Sequence, residues 1–215
     1  RFLKFELDRY LSSRGMERIE EMPLIRVENQ GYIHYQKGGV ILYLLRDQIG
    51  EEAVNRALRR VIDQYAFKGA PYPRSLDLLA AIRAEAPADK QDLITDLFER
   101  ITLYDVKTKS ATATRRADGK WDVAVTVEAR KLYADGEGKE TEAPLSEMFD
   151  VGLFSAEPGK RAFDEKDVLV FERREVRTGT QVFRFVTNEK PAFAGVDPYN
   201  RWIDRNSNDN LLPVS

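Results

Sequence analysis

The sequence predicts an α+β fold: an N-terminal helical region followed by an antiparallel, β-sandwich-like domain. Apolar residues recur three and four positions apart up to about residue 102, which is the period of an amphipathic helix. Beyond that point the period falls to two, most clearly in "WDVAVTVEARKL" (121–132). The chain has 215 residues, 42% hydrophobic and 33% charged, which is enough apolar material for a real core.

The first helix is expected over residues 1–13, with Leu3, Leu7, Tyr10 and Leu11 on one face and Gly15 as its stop. A chain that opens inside a running helix reads as a fragment of a longer one. "EMPLIRVENQ" (21–30) holds a proline and no helical period, so it reads as a loop or short extended piece. A buried helix follows over about 35–48 and ends at Gly50. In 51–67, Val54, Ala57, Leu58, Val61, Ile62 and Tyr65 share a face, and Glu51 and Glu52 suit the positive helix start. "KGAPYPR" (68–74) is a turn, and Ser75 is the expected cap of a helix to about residue 86. Residues 89–101 form the last helix, with Leu93, Ile94, Leu97, Phe98 and Ile101 inward.

In the strand at 121–132, Trp121, Val123, Val125, Val127 and Ala129 take one face. Asp118-Gly119 before it is a hairpin signal that pairs this strand with 103–116. Further strands are expected at 145–154, 167–176 and 181–188, with Thr178-Gly179 turning the last two into a hairpin. "YADGEGKETE" (133–142) reads as a polar loop. The expected divisions are 1–103 helical, 104–190 β, and 191–215 an irregular tail wrapped on the surface.

Charge and composition exclude several chemistries. The net charge is −2 and no long basic run occurs, so nothing points to a nucleic-acid partner. The longest apolar run, "VILYLL" (40–45), is far too short to span a bilayer. With no cysteine, thiolate chemistry and disulfides are absent. With one histidine, a two-histidine zinc site cannot be assembled from this chain. No G-x-S-x-G elbow and no G-x-x-x-x-G-K-[ST] loop is present. "DRNSNDN" (204–210) alternates carboxylates and amides as calcium loops do. It has Asp209 where such loops need glycine and lacks the closing glutamate, so a polar surface segment is the reading. The paired glutamates at 20–21 and 51–52 read as helix-flanking charges.

The remaining chemistry lies in "GYIHYQKGG" (31–39). A lone histidine among aromatics ordinarily packs and hydrogen-bonds, and that is the reading for His34; the tyrosines admit the same one. Tyr35 has a functional alternative. A phenol stays protonated at neutral pH and can donate to an oxyanion without carrying charge. At a helix start it would share that role with the helix dipole. Gly38 and Gly39 would let another helix approach closely.

"YIHYQKGGVILYLLRDQIGEEAVNRALRRVI" resembles the segment downstream of the zinc site in the aminopeptidase N and leukotriene hydrolase family of gluzincin metallopeptidases. There, a tyrosine followed by one residue and Lys-Gly opens a helix facing the metal and stabilises the tetrahedral intermediate. Tyr35, Lys37 and Gly38 match that motif, with Gln36 where relatives commonly have Glu. "LYADGEGKETEAPL", "DVGLF" and "GVDPYNRWIDRNSNDN" resemble the end of a bacterial subgroup whose peptidase part is fused to an ABC-transporter-type permease.

The resemblance implies a C-terminal fragment of a membrane-anchored zinc aminopeptidase, inactive alone, with Tyr35 as its catalytic residue. It implies no metal ligand and no cofactor in this chain, with zinc belonging to the full-length protein. The implied partners are a peptide substrate, the missing catalytic segment, and a membrane reached only through absent segments. A non-catalytic binding or scaffold module attached to a permease is the alternative, and a zinc-free hydrolase centred on His34 a further one.

Overall fold

A computed structural model describes residues 2–215. The fold is α+β, with five α-helices and then eight strands arranged in two antiparallel four-stranded sheets among the described residues. The chain separates into two compact units. One is helical, residues 6–102 with 133–140; the other, residues 103–132 and 141–215 with 2–5, holds nearly all the strands.

In the helical unit, α1 spans Phe2–Arg14 and buries Leu7 and Tyr10. After a loop with a single 3₁₀ turn at Leu24–Arg26, the chain becomes helical at Gly31, three to four residues earlier than the apolar pattern predicts. The opening Tyr32–Lys37 is a π-helix and runs directly into α2, Gly38–Ile49. The aromatic and polar residues of the π turn carry no clean apolar period, which is why the earlier start is not legible. α3 (Glu51–Tyr65) buries Ala53, Val54 and Ala57, while Ile62, expected inward, lies exposed.

α4 spans Ser75–Glu85, but Ser75 is not its cap. The Ser75 hydroxyl donates to the Ile25 carbonyl at 2.7 Å, and Asp77 accepts the Arg74 amide at 2.8 Å instead. α5 (Gln91–Phe98) buries Leu93, Ile94, Leu97 and Phe98. It stops short of Ile101, which begins β1.

In the strand unit, β1 (Ile101–Arg115) and β2 (Trp121–Ala134) form the hairpin signalled by Asp118-Gly119. Val123, Val125, Val127 and Ala129 are buried, as the alternation requires. The stretch 133–142 is not a plain loop. It turns at 135–139 and returns as β3, Glu140–Ala143, in the same sheet. β4 (Ser146–Phe154) and β5 (Val168–Arg177) pair along their length in the second sheet.

β6 (Gly179–Thr187) does not form a hairpin with β5. It crosses to the first sheet and pairs with β2, Trp121 opposite Thr187 through Ala129 opposite Gly179. Gly179 has φ +100°, so the turn signal at 178–179 is real but changes sheets rather than reversing within one.

The end of the chain departs most from expectation. It carries β7 (Phe193–Val196) and β8 (Leu211–Pro213), which extend the second sheet beside β4. Trp202 is 1% exposed and stacks on Phe149 at 4.1 Å, with Tyr104 edge-on to both rings. Between and beyond the strands, the tail runs along the outer edge of β1. Tyr104 N–H donates to Ile203 O, Thr108 N–H to Asp209 O, and Ala113 and Ser215 are bonded by their backbones. At Gly195, a Cβ would collide with the Asn210 backbone, so this tight passage demands glycine. A segment rich in turn residues is here core and edge cover, because its few large apolar residues are the ones that sit between the sheets.

Candidate active site

Tyr35 lies in the first helical turn and is 72% exposed, with its ring 4.5 Å from that of His34, which is exposed too. On the other side of the same turn, Tyr32, Ile33 and Lys37 are buried. The helix therefore offers one phenol and one imidazole to solvent while its inner face is fixed. Tyr35 sits within the first turn rather than at the first residue, so it is still near the positive end of the helix dipole.

The glycines do less than expected. A Cβ on Gly39 would meet nothing within 4 Å, and one on Gly38 would make only ordinary contacts of 3.5–3.6 Å with Ile33 O and Leu24 Cδ1.

Behind the turn stands a buried polar cluster that pattern reading missed. The carboxylate of Glu21, 5% exposed, accepts from Tyr10 Oη at 2.5 Å, from Lys37 Nζ at 3.1 Å, and from Arg14 Nε. Glu21 is thus a hub, not a helix-flanking charge. It is one of two adjacent glutamates ahead of a proline, and its partners lie 7 to 16 residues away, so no local period betrays it. Its one visible signal is position: it lies in a loop with no helix to flank.

The protonation of the cluster follows from burial and pairing. Burial pushes the Glu21 carboxyl up, but the Lys37 ammonium and the hydrogen bonds from Tyr10 and Arg14 outweigh it and hold it below the usual range. Burial lowers Lys37, and Glu21 only partly restores it. Tyr10 is raised well above the usual phenol value by burial and then by Glu21. Tyr32 is pushed up to about 12 by burial and the Glu21 and Glu17 charges. At neutral pH Glu21 is ionised and both phenols are protonated.

The loop 204–210 is not a plain surface segment. Asp204 and Asn210 are each 1% exposed. Asp204 accepts the Asn206 amide at 3.2 Å through Oδ1, and Oδ2 has no partner within hydrogen-bond range, although the Asn210 amide beside it eases its charge. Burial raises this carboxyl to about 7. Asp197, fully buried and likewise raised by burial, accepts the Arg201 and Trp202 amides at 2.9 and 3.0 Å and so brackets the preceding turn.

Among the described residues, no group of three or more His, Cys, Asp or Glu side chains is arranged to hold a metal ion. No helix of the described residues is long and apolar enough to cross a membrane. No protein-family model and no curated protein matches the chain.

Proposed function

We propose that this chain is the C-terminal part of a zinc-dependent aminopeptidase-like membrane protein and supplies its oxyanion-stabilising tyrosine, Tyr35. The observation that carries the reading is the exposure of that phenol, 72%, on a turn whose inner face is locked. A hydroxyl free of internal hydrogen-bond duty, near a helix N-terminus, is available to a carbonyl oxygen as it gains negative charge. Tyr35 donates a hydrogen bond to that oxygen and keeps its proton throughout. The histidines and glutamates that would hold the zinc belong to polypeptide outside these 215 residues, which contain one histidine. The strand unit serves as a supporting domain.

The experiment is Tyr35→Phe in the full-length protein, assayed on an aminoacyl chromogenic substrate. Turnover is expected to fall by about 100–1000-fold, as when one oxyanion donor is lost, with zinc content unchanged. Unchanged turnover would overturn the assignment.

A further inference from the structure

We propose that Tyr10 and Glu21 are positioning residues that hold the helix opening in its π form, and that this form turns Tyr35 outward. The proposal rests on the reading of Tyr35 as the functional phenol but is tested independently of it.

In an α-helix, residues five apart lie about 140° apart around the axis, so Tyr32 and Lys37 would face different neighbours. In the i→i+5 winding of a π-helix they lie nearly one above the other. The structure shows what this alignment serves. Both residues meet the same ring: Tyr32 stacks on Tyr10 at 6.0 Å with an interplanar angle of 18°, and Lys37 Nζ stands 4.9 Å over the Tyr10 centroid. Glu21 then ties the assembly, accepting from the Tyr10 hydroxyl and the Lys37 ammonium through one oxygen and from Arg14 through the other. The π hydrogen bond is explicit at the exit of the turn, where Gly38 N–H is shared between the Ile33 carbonyl five residues back and the Tyr35 carbonyl three back, with none to His34. With Tyr32, Ile33 and Lys37 gathered inward, Tyr35 falls on the opposite side.

A π turn is rare and survives where tertiary contacts compensate for it. If the contacts on Tyr10 and Glu21 are removed, the turn relaxes to α geometry and Gly38 N–H passes from the Ile33 carbonyl to that of His34. The phase of residues 32–37 then changes by as much as one residue's arc, about 100°. That swing is enough to take a phenol out of line with a reacting group.

The test uses the 215-residue chain and needs no catalysis. Tyr10→Leu removes the shared ring; Glu21→Gln keeps the shape but loses the charge; Tyr10→Phe keeps the ring and serves as the conservative control. In both Tyr10→Leu and Glu21→Gln, amide hydrogen exchange over 32–37 is expected to quicken at least tenfold while α3 and β2 stay unchanged. The scalar coupling across the Gly38 hydrogen bond is expected to move from Ile33 to His34. Tyr10→Phe is expected to retain the Ile33 coupling. If Tyr10→Leu fails to fold, Glu21→Gln decides. A coupling that stays on Ile33 in the variants, or faster exchange spread evenly over both units, would overturn the proposal. A failure of Tyr35→Phe to alter turnover would instead overturn the functional reading and leave this one standing.

Discussion

Glu21 of the helical unit and Asp197 and Asp204 of the strand unit are buried carboxylates held in opposite ways, although Asp150 of the strand unit is, like Glu21, paired with cations, Arg173 and Arg201. In the helical unit Glu21 has three side-chain donors, two of them cationic. In the strand unit Asp197 and Asp204 are satisfied chiefly by backbone amides, and one oxygen of Asp204 by none in range. Burial acts on all three, and among them pairing overcomes it only at Glu21. The result is opposite titration: Glu21 is held below its usual range, Asp197 and Asp204 above. A paired buried charge ties elements together, whereas an unpaired one subtracts from stability whenever it ionises.

The most severe way to break this contrast is Lys37→Met. It removes one partner of a pair that is 1% and 5% exposed, leaving Glu21 without its ammonium. A loss of about 3–5 kcal/mol is expected in denaturant unfolding at pH 7. A loss under 1 kcal/mol would mean that the cluster holds nothing together.

Asp204→Asn sharpens the contrast from the other side. A carboxyl raised from 3.8 to about 7 contributes stability below pH 4 and loses it as the pH climbs through 7. The amide keeps an acceptor for the Asn206 N–H and cannot ionise. The variant should therefore gain on the order of 2–4 kcal/mol at pH 8 and nothing at pH 4. Glu21 has the reverse sign: its contribution is complete above the ordinary carboxylate range and disappears as the pH falls through its lowered value. Equal gains for Asp204→Asn at pH 4 and pH 8 would show that Asp204 does not titrate as described.

Tyr35→Phe gives the smallest effect and the sharpest separation of role. The ring is largely exposed and its hydroxyl supports no packing, so stability should move by less than about 0.5 kcal/mol. A larger loss would place Tyr35 with the structural cluster behind it.

The strands and helices of this fold were largely legible because period is local. The change from helical spacing to alternation near residue 102 and the Asp118-Gly119 turn both correspond to structure. What was illegible depends on distant partners. Nothing at Glu21 announces Tyr10 or Lys37, and nothing in Tyr32–Lys37 announces a π turn that exists to bring two residues onto one ring. Sheet choice is equally non-local. Gly179 marks a turn, but β6 crosses from β5 to pair with β2, and its partner strand lies about fifty residues earlier in the chain. At the chain's end, turn-rich composition concealed Trp202, whose ring sits against Phe149 and Tyr104. Tyr35 was singled out in the sequence by motif resemblance, and its neighbours Tyr32, Ile33 and Lys37, all buried, explain why it faces outward.

The closing residues have one more effect. β1 is 15 residues long, and its outer edge is met by backbone groups from 203 to 215. Removing that cover would leave a row of unsatisfied amides and carbonyls facing water, the template on which stranger chains polymerise. The final dozen or so residues therefore cover that edge, and trimming them would uncover it.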